Sequence, residues 1–447
     1  MDRPAARRAS GAVAMTVLLL LLLPAPASSL AGAAVGVIVR SPFMKRVASI
    51  IVKEVASAGA SALTKALRSS NKAGQLGSDA ADDAGIILYN VSVGQQTFSG
   101  VVDIFNDFFW LQCPPAPAQV LSAVPCISDT CSSVLRKTTN DDCIDTASSC
   151  LYAYGSPDDG SYSTGYLGYE KFTFGAGTGT SPVSGSVVFG CSTQNTVKDG
   201  AIGFSKGPLS ILSQLHITRF SYFLTPDDSK SSSSTSVVLL GDQAVPQTKR
   251  SRSTPLLKSN VYQDLYYVKL TGIKVDGESL KGIPDRAFDF AADGKSGGVA
   301  LSTTIALTWL QSDAYYAVKQ ALMSKIDSPA VKSNNELDLC YDTNSVAKLK
   351  FPKITLVFDG VDSPGMDLTT VHYFYKDTNT GFQCLTMLPM PKDYPLGSIL
   401  GSMLQAGTNM IYDIGARQLT FEKAAAAAAP QVPLMAIVSL LAWVLLF

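Results

Sequence analysis

Few residues in this chain could do chemistry, and one is set apart by its surroundings. In VVDIFNDFFWLQC (residues 101–113) a single aspartate, Asp103, sits behind two valines and ahead of several aromatics. The β-branching and alternation read as a buried strand running into a turn. An unpaired buried charge is costly, so Asp103 is expected to be exposed in the turn, hydrogen-bonded, or functional as an acid–base group. A serine or cysteine nucleophile generally needs a histidine base, and the chain has only His216 and His372. His216 follows LSQL, His372 lies in TTVHYFY and reads as strand, and both are expected to be structural or exposed. No cluster has metal-ligand spacing; Cys126 and Cys131 fit disulfide chemistry better than zinc. Neither a metal nor a cofactor is expected.

A partner position for Asp103 comes from an internal repeat. VVDIFNDFFWLQ (101–112) matches ALSTTIALTWLQ (300–311): two apolar residues, a polar one, six residues, then Trp-Leu-Gln. Asp103 therefore aligns with Ser302. GAIGF (200–204) and SILGS (398–402) make a second pair, with Gly203 placed 100 residues after Asp103 and Gly401 placed 99 after Ser302. Two landmarks at nearly one offset imply two similar β lobes, each holding one polar loop, with any function in the cleft between them.

The elements that must position these loops are short strands. GIILYNVSVGQQTFSGVVDIF, YSTGYLGYEKFTFG, SGSVVFGCS, TSVVLLGD and LYYVKLTGIKVDG are β-branched and aromatic runs between Gly, Ser, Asp and Pro turns, an all-β rhythm. Two helices are expected, over 207–215 beginning with Pro208 and over 310–326 with Ser312 as N-cap. KSSSSTS (230–236) reads as a hairpin loop. QTKRSRSTP (247–255) reads as an exposed polar linker whose Lys249-Arg250 pair resembles a processing site.

The ends have other signatures. Residues 1–27 carry Arg3, Arg7 and Arg8, an apolar run and a small-x-small pattern at Ala25-Pro26-Ala27, as a secretory signal peptide does. Residues 28–80 have helical apolar spacing with Arg40, Lys45, Arg46, Lys53, Lys65 and Arg68. They read either as a pro-segment whose cations cover an acidic cleft or as a solvated leader. Residues 424–447 combine an alanine run, a short spacer and an apolar tail, the form of a glycosylphosphatidylinositol (GPI) anchor signal, with a short tail anchor as the alternative. Residues 81–250 and 251–423 are then the two lobes. With 36 basic and 36 acidic residues the chain offers no field for nucleic acid. Eight cysteines in a secreted chain are expected in disulfides, and Asn90-Val91-Ser92 is an N-glycosylation sequon.

Over roughly residues 86–423 the chain resembles the pepsin-like aspartic peptidases, in particular their plant nepenthesin-like and xylanase-inhibitor-like branch. The motifs are WLQC, CLYAYG...DGSYSTGYLGYEKFTF, VVFGC, DGAIGFSKGPLSILSQL, FSYFL, YYVKLTGIKVDG, GKSGGVALS, LDLCYD and ILGSMLQAGTNMIYDIGARQLTF. The resemblance implies an all-β bilobal fold with a central cleft and a few short helices. It also implies a mechanism in which two carboxylates about 3 Å apart share one proton, each lobe supplying one from Asp-Thr/Ser-Gly. This chain has Asp103-Ile104-Phe105 and Ser302-Thr303-Thr304 instead. The first loop keeps its acid but loses the bracing hydroxyl and the glycine. The second keeps a hydroxyl at Thr303 but loses the acid and the glycine.

Tyr154 matches the family's flap tyrosine, although Pro157 and two extra residues interrupt the flap tip. By resemblance the bridges are Cys126 to Cys150, Cys131 to Cys143 and Cys340 to Cys384, with Cys113 and Cys191 left to pair or to remain buried thiols. Three functions follow as expectations. The first is a catalytically impaired, monomeric homologue on the outer face of the plasma membrane or in the apoplast, binding a peptide or protein in the cleft. The second is an active peptidase of atypical dyad, and the third is an inhibitor that binds a glycosidase.

Overall fold

The computed structural model describes residues 88–423 apart from 94–95, 114–121, 136–148, 157–160, 176–181, 196–199, 227–235, 293, 332–336, 378–380 and 393. The signal peptide, the basic leader, the anchor signal, Cys143, Pro157 and most of the 230–236 loop lie outside the described residues. Strands dominate, as the alternation requires, and they form sheets of eight, ten, four and three strands.

The internal repeat is reproduced strand for strand. In the first lobe Gln96–Asp103 runs parallel to Gly200–Gly203, with Asp103 opposite Gly203. Trp110–Gln112 crosses back antiparallel with Trp110 opposite Ala201, and runs parallel to Val183–Asn195 on its other side. In the second lobe Gly297–Leu301 is parallel to Leu396–Leu400. Thr308–Leu310 returns antiparallel with Trp309 opposite Ile399, and lies parallel to Met387–Pro389. Each lobe thus ends a strand at the loop of interest and threads the following strand past a glycine. A Cβ on Gly203 would overlap the backbone of Asp107, and one on Gly401 would overlap the backbone carbonyls of Ala306 and Leu307. Only glycine lets the two segments approach this closely.

The sheet does not respect the midpoint of the chain. Arg219–Phe223 and Val237–Leu240, from the first half, belong to the ten-stranded sheet with Thr408–Asp413 and Gln418–Lys423. Phe220 stacks on Tyr412 with ring centroids 4.6 Å apart, and the Tyr266 hydroxyl donates to the Phe204 carbonyl at 2.8 Å. These contacts carry the core from one half into the other.

Several local expectations are corrected. The helix expected over 207–215 is only Ile211–Gln214, because Ser210 caps it by accepting from the Ser213 N–H while Asp107 takes the Leu209 N–H at 3.2 Å. The long helix runs Ser312–Lys325, but its cap is Gln311, whose side chain accepts from Ala314; the Ser312 hydroxyl instead donates to the Met390 carbonyl. His372 lies in a short helix, Thr370–Tyr373, closed by a capping box with Thr369. His216 is exposed and has positive φ.

Part of the disulfide scheme changes as well. Cys131 pairs with Cys150, since the helix Asp129–Leu135 turns Cys131 inward beside Val124, Val134 and Tyr152, where Cys150 also lies. Cys126 is also disulfide-bonded. Cys113 and Cys191 pair with each other. Cys340 and Cys384 face each other across an antiparallel ladder and are joined.

Candidate active site

Asp103 and Ser302 stand at equivalent ends of equivalent strands, and their side chains are held alike. Asp103 Oδ1 accepts from the backbone N–H of Phe105 at 2.8 Å and of Asn106 at 3.3 Å. Ser302 Oγ accepts from the backbone N–H of Thr304 at 3.2 Å and of Ile305 at 3.1 Å. The short polar side chain closes the turn after the strand in both lobes, as Asp and Ser side chains do in Asx and Ser/Thr turns. The second carboxylate oxygen, Oδ2, takes the Asn106 side-chain amide at 3.0 Å.

The two loops meet through Thr304 and Thr303. Thr304 Oγ1 donates to Asp103 Oδ1 at 3.3 Å and lies 3.3 Å from Ser302 Oγ, so it bridges the two equivalent positions. Thr303 Oγ1 donates to the Val102 carbonyl at 2.7 Å and accepts from the Ile104 N–H at 3.2 Å. The reciprocal brace is missing, because Ile104 has no hydroxyl; its side chain is buried in the main core. Behind the second loop, the Gln405 amide donates to the carbonyls of Ser302 and Leu400, each at 2.9 Å. Its Oε1 accepts from the Tyr222 hydroxyl, which ties the Ser302 loop to the strand Arg219–Phe223.

Both loops are buried. Asp103 is 1% exposed and Ser302 fully buried. Phe105, at the position where the motif has glycine, is 1% exposed. It belongs to one apolar cluster with Leu265, Tyr267, Ile305, Ala306, Met390 and other residues of the second lobe, against which Tyr154 packs. The first lobe thus inserts an aromatic ring into the second beside the carboxyl. Tyr154 lies on Leu151–Ser156, paired with Ser163 of the long strand Ser161–Phe174, and its ring is 5.5 Å from that of Phe108.

Burial pushes the Asp103 carboxyl above the usual carboxylate range, although the donors from Asn106, Phe105 and Thr304 all favour the charged form. Among the described residues no cation or second carboxyl contributes to this shift. A serine hydroxyl does not titrate in the acid range, so Ser302 cannot share a proton as a second carboxyl would. Among the described residues no group of three or more His, Cys, Asp or Glu is placed to hold a metal, and no helix is long and apolar enough to cross a membrane.

The sequence singled out Asp103, Ser302 and Tyr154, and the structure brings all three to the junction of the lobes. It does not bring Asn90 there: that side chain is exposed on Leu88–Val93 and accepts from the Ser99 hydroxyl at 2.8 Å. Sequence reasoning missed the roles of Asn106, Gln405 and the Thr304 bridge. It noted the bulk of Phe105 but not where the ring goes. The available signal was that both small positions of the family loop had become larger, which requires the space between the lobes to be filled by something.

Comparison with known proteins speaks to the family and the fold. Residues 88–242 match the family described as xylanase inhibitor N-terminal, and residues 265–423 that described as xylanase inhibitor C-terminal. The chain is 32% identical to aspartic proteinase nepenthesin-1 of Nepenthes gracilis over 363 residues, 76% of this chain and 78% of the relative. It is 34% identical to nepenthesin-2 of the same plant over 354 residues, 74% of this chain and 75% of the relative. Among solved structures, basic 7S globulin from soybean superposes with a TM-score of 0.57 at 20% identity, covering 76% of this chain and 91% of that one. Conglutin gamma from lupine seeds gives 0.57 at 18% identity, covering 76% and 95%. At those identities the two superpositions speak for the fold alone.

Proposed function

The chain belongs to the pepsin-like aspartic peptidase family, in its nepenthesin-like and xylanase-inhibitor-like branch, and from that membership we propose that it is a family member whose peptidase centre is disabled and whose cleft face binds a peptide or protein without cutting it. The observation that carries this reading is the pairing of a buried Asp103 with Ser302, beside a Phe105 packed among second-lobe side chains. Aspartic proteolysis needs one carboxyl to take a proton from water while the other donates to the peptide carbonyl. Here the second position holds a hydroxyl, which does not titrate in the acid range and cannot share the proton with Asp103. Loss of one such acid–base group is worth roughly 10²- to 10⁴-fold in rate.

The experiment is digestion of an unfolded protein by the purified chain between pH 3 and 5, with and without pepstatin. No pepstatin-sensitive cleavage is expected. Clear turnover would instead support an active peptidase of atypical dyad. Ser302→Asp alone is expected to leave the chain inactive, because Phe105 and Ile104 still fill the first loop. Activity is expected only when Ser302→Asp and Thr304→Gly are combined with Ile104→Thr and Phe105→Gly.

A second reading is favoured by the family descriptions matched over both halves, which are those of xylanase inhibitors. In it the surface loops bind a glycosidase. Addition of the chain to fungal xylanases without loss of rate would remove this reading. We also propose secretion through residues 1–27, a glycan on Asn90 and a GPI anchor attached within 424–429, which together put a monomer on the outer face of the plasma membrane or in the apoplast. Release by a phosphatidylinositol-specific phospholipase tests the anchor.

A further inference from the structure

Away from the cleft, the segment joining the halves carries a dibasic pair held between two anchors. Lys249 and Arg250 are exposed in a turn, followed directly by the strand Arg252–Leu257. On the amino side, Glu422 Oε1 accepts from the Gln247 N–H at 2.8 Å. Its Oε2 accepts from both the N–H and the hydroxyl of Thr248 at 2.9 Å. Thr248 Oγ1 in turn accepts from the Arg250 N–H at 3.3 Å. Glu422 is 4% exposed, lies on Gln418–Lys423, and also accepts from the Asn409 amide at 3.1 Å. On the carboxyl side the same strand takes over, with Arg252 opposite Phe421 and Ser253 opposite Thr420. The Arg250–Ser251 bond is the stretch left between the Glu422 clamp and the ladder.

We propose that Arg250–Ser251 is a cleavage site for an endoprotease specific for paired basic residues, and that the cut protein persists as two chains held in one sheet without a covalent link. The step is a hydrolysis. Water adds its hydroxyl to the Arg250 carbonyl carbon and a proton to the Ser251 nitrogen as the C–N bond breaks, and nothing is oxidised or reduced. No disulfide can span the cut: Cys340 and Cys384 are the only cysteines after residue 250, and they pair with each other. Cohesion comes from strands that lie before the cut but pair after it. Arg219–Phe223 runs antiparallel to Thr408–Asp413, from Asn409 opposite Phe223 to Asp413 opposite Arg219. Within that ladder Arg219 Nη2 meets Asp413 Oδ2 at 2.5 Å, Phe220 stacks on Tyr412, and the hydroxyls of Tyr222 and Tyr412 lie 3.0 Å apart. The buried ladder is what keeps the two pieces together after the bond between them is lost.

The in-cell form of this proposal rests on the secretory reading above, so the first test does not. The purified full-length protein is treated with an endoprotease that cuts after Lys-Arg. Within residues 88–423 the expected result is one dominant early cut, giving fragments that end at Arg250 and begin at Ser251; the chain's other Lys-Arg pair, Lys45-Arg46, belongs to the basic leader and its cutting is scored separately. The two fragments should co-elute at the uncut position in native gel filtration and separate in denaturing electrophoresis without reductant. Lys249→Gln with Arg250→Gln should abolish the cut. Glu422→Gln weakens the clamp and should speed it several-fold; Thr248→Ala, which removes only one of the clamp's contacts, should act in the same direction more weakly. A first cut elsewhere within residues 88–423, cutting there unchanged in the Lys249/Arg250 variant, or fragments that part under native conditions would overturn the proposal. Uncut protein secreted with residues 1–27 removed overturns the in-cell cut; protein retained in the cytosol overturns the secretory reading itself.

Discussion

Asp103 is a buried carboxyl ringed by donors, and that combination fixes how it couples to pH. The Phe105 and Asn106 N–H groups, the Asn106 amide and the Thr304 hydroxyl all favour the ionised form, yet burial outweighs them and raises the pKa. A carboxyl whose folded pKa lies above its unfolded value, about 3.9, stabilises the fold most below that value. The contribution is lost as pH rises through the folded pKa. Asp413 and Glu422 have the opposite sign. In both, burial is outweighed by hydrogen bonds, with the Arg219 charge adding to the effect at Asp413, and the pKa is lowered. Their stabilisation is present above the ordinary carboxyl range and lost as pH falls. Asp103→Asn isolates the first effect, since the introduced carbonyl still accepts from Phe105 and Asn106 while the Asn106 amide can turn to present its oxygen. The variant is expected to match the parent in denaturation midpoint near pH 3 and to exceed it near pH 7. A difference independent of pH would show that Asp103 titrates as an ordinary surface acid. The alignment of Asp103 with Ser302 was legible in the sequence, because strand, loop and Trp-Leu-Gln recur at one spacing. The place of the Phe105 ring was not, because it packs among second-lobe side chains such as Tyr267 and Met390, far away in sequence.

At the scale of elements, the two loops are braced from one side only. Thr303 spans the interface by donating to Val102 and accepting from Ile104, whereas Ile104 returns packing and no hydrogen bond. Thr303→Val keeps the shape but strands the buried Ile104 N–H, at a cost of about 1–3 kcal/mol. Thr303→Ser keeps the hydroxyl and should lose less. Denaturant midpoints of the two variants check this; a loss in Thr303→Ser as large as that in Thr303→Val would mean that the methyl group contributes as much as the hydroxyl. Elements whose signals are local were readable: the strands around Asp103 and Trp110, and the body of the helix Ser312–Lys325. Their ends were not, because Gln311 rather than Ser312 caps the helix and the Asp107 carboxylate occupies the N–H of Leu209, both settled by side-chain geometry. The Cys131–Cys150 pairing was hidden for a similar reason: which of four nearby cysteines meet depends on how Asp129–Leu135 packs against Val124 and Tyr152.

For the whole molecule, the boundary between halves in sequence is not a boundary in the sheet. Arg219–Phe223 and Val237–Leu240 precede residue 250, yet they complete a ten-stranded sheet whose other members come after it. No local pattern announces this, since the pairing of Ile411 with Ser221 spans 190 residues and both strands read as ordinary apolar runs. It follows that residues 88–250 alone should not form a stable lobe. Without Thr408–Asp413, the edge of Arg219–Phe223 is left unpaired and Phe220 and Tyr222 lose their contacts with Tyr412, which makes an exposed apolar edge prone to association. The expected behaviour is aggregation of 88–250 expressed by itself and recovery of a soluble one-to-one complex when 251–423 is co-expressed, read by gel filtration and by mass. A soluble, monomeric 88–250 would show that the first lobe closes its own sheet. Because the same ladder both completes the first half and abuts the loop of Ser302 through Gln405 and Tyr222, the complementing fragment should also restore the acid-to-neutral stability difference attributable to Asp103, which requires both loops to be in place.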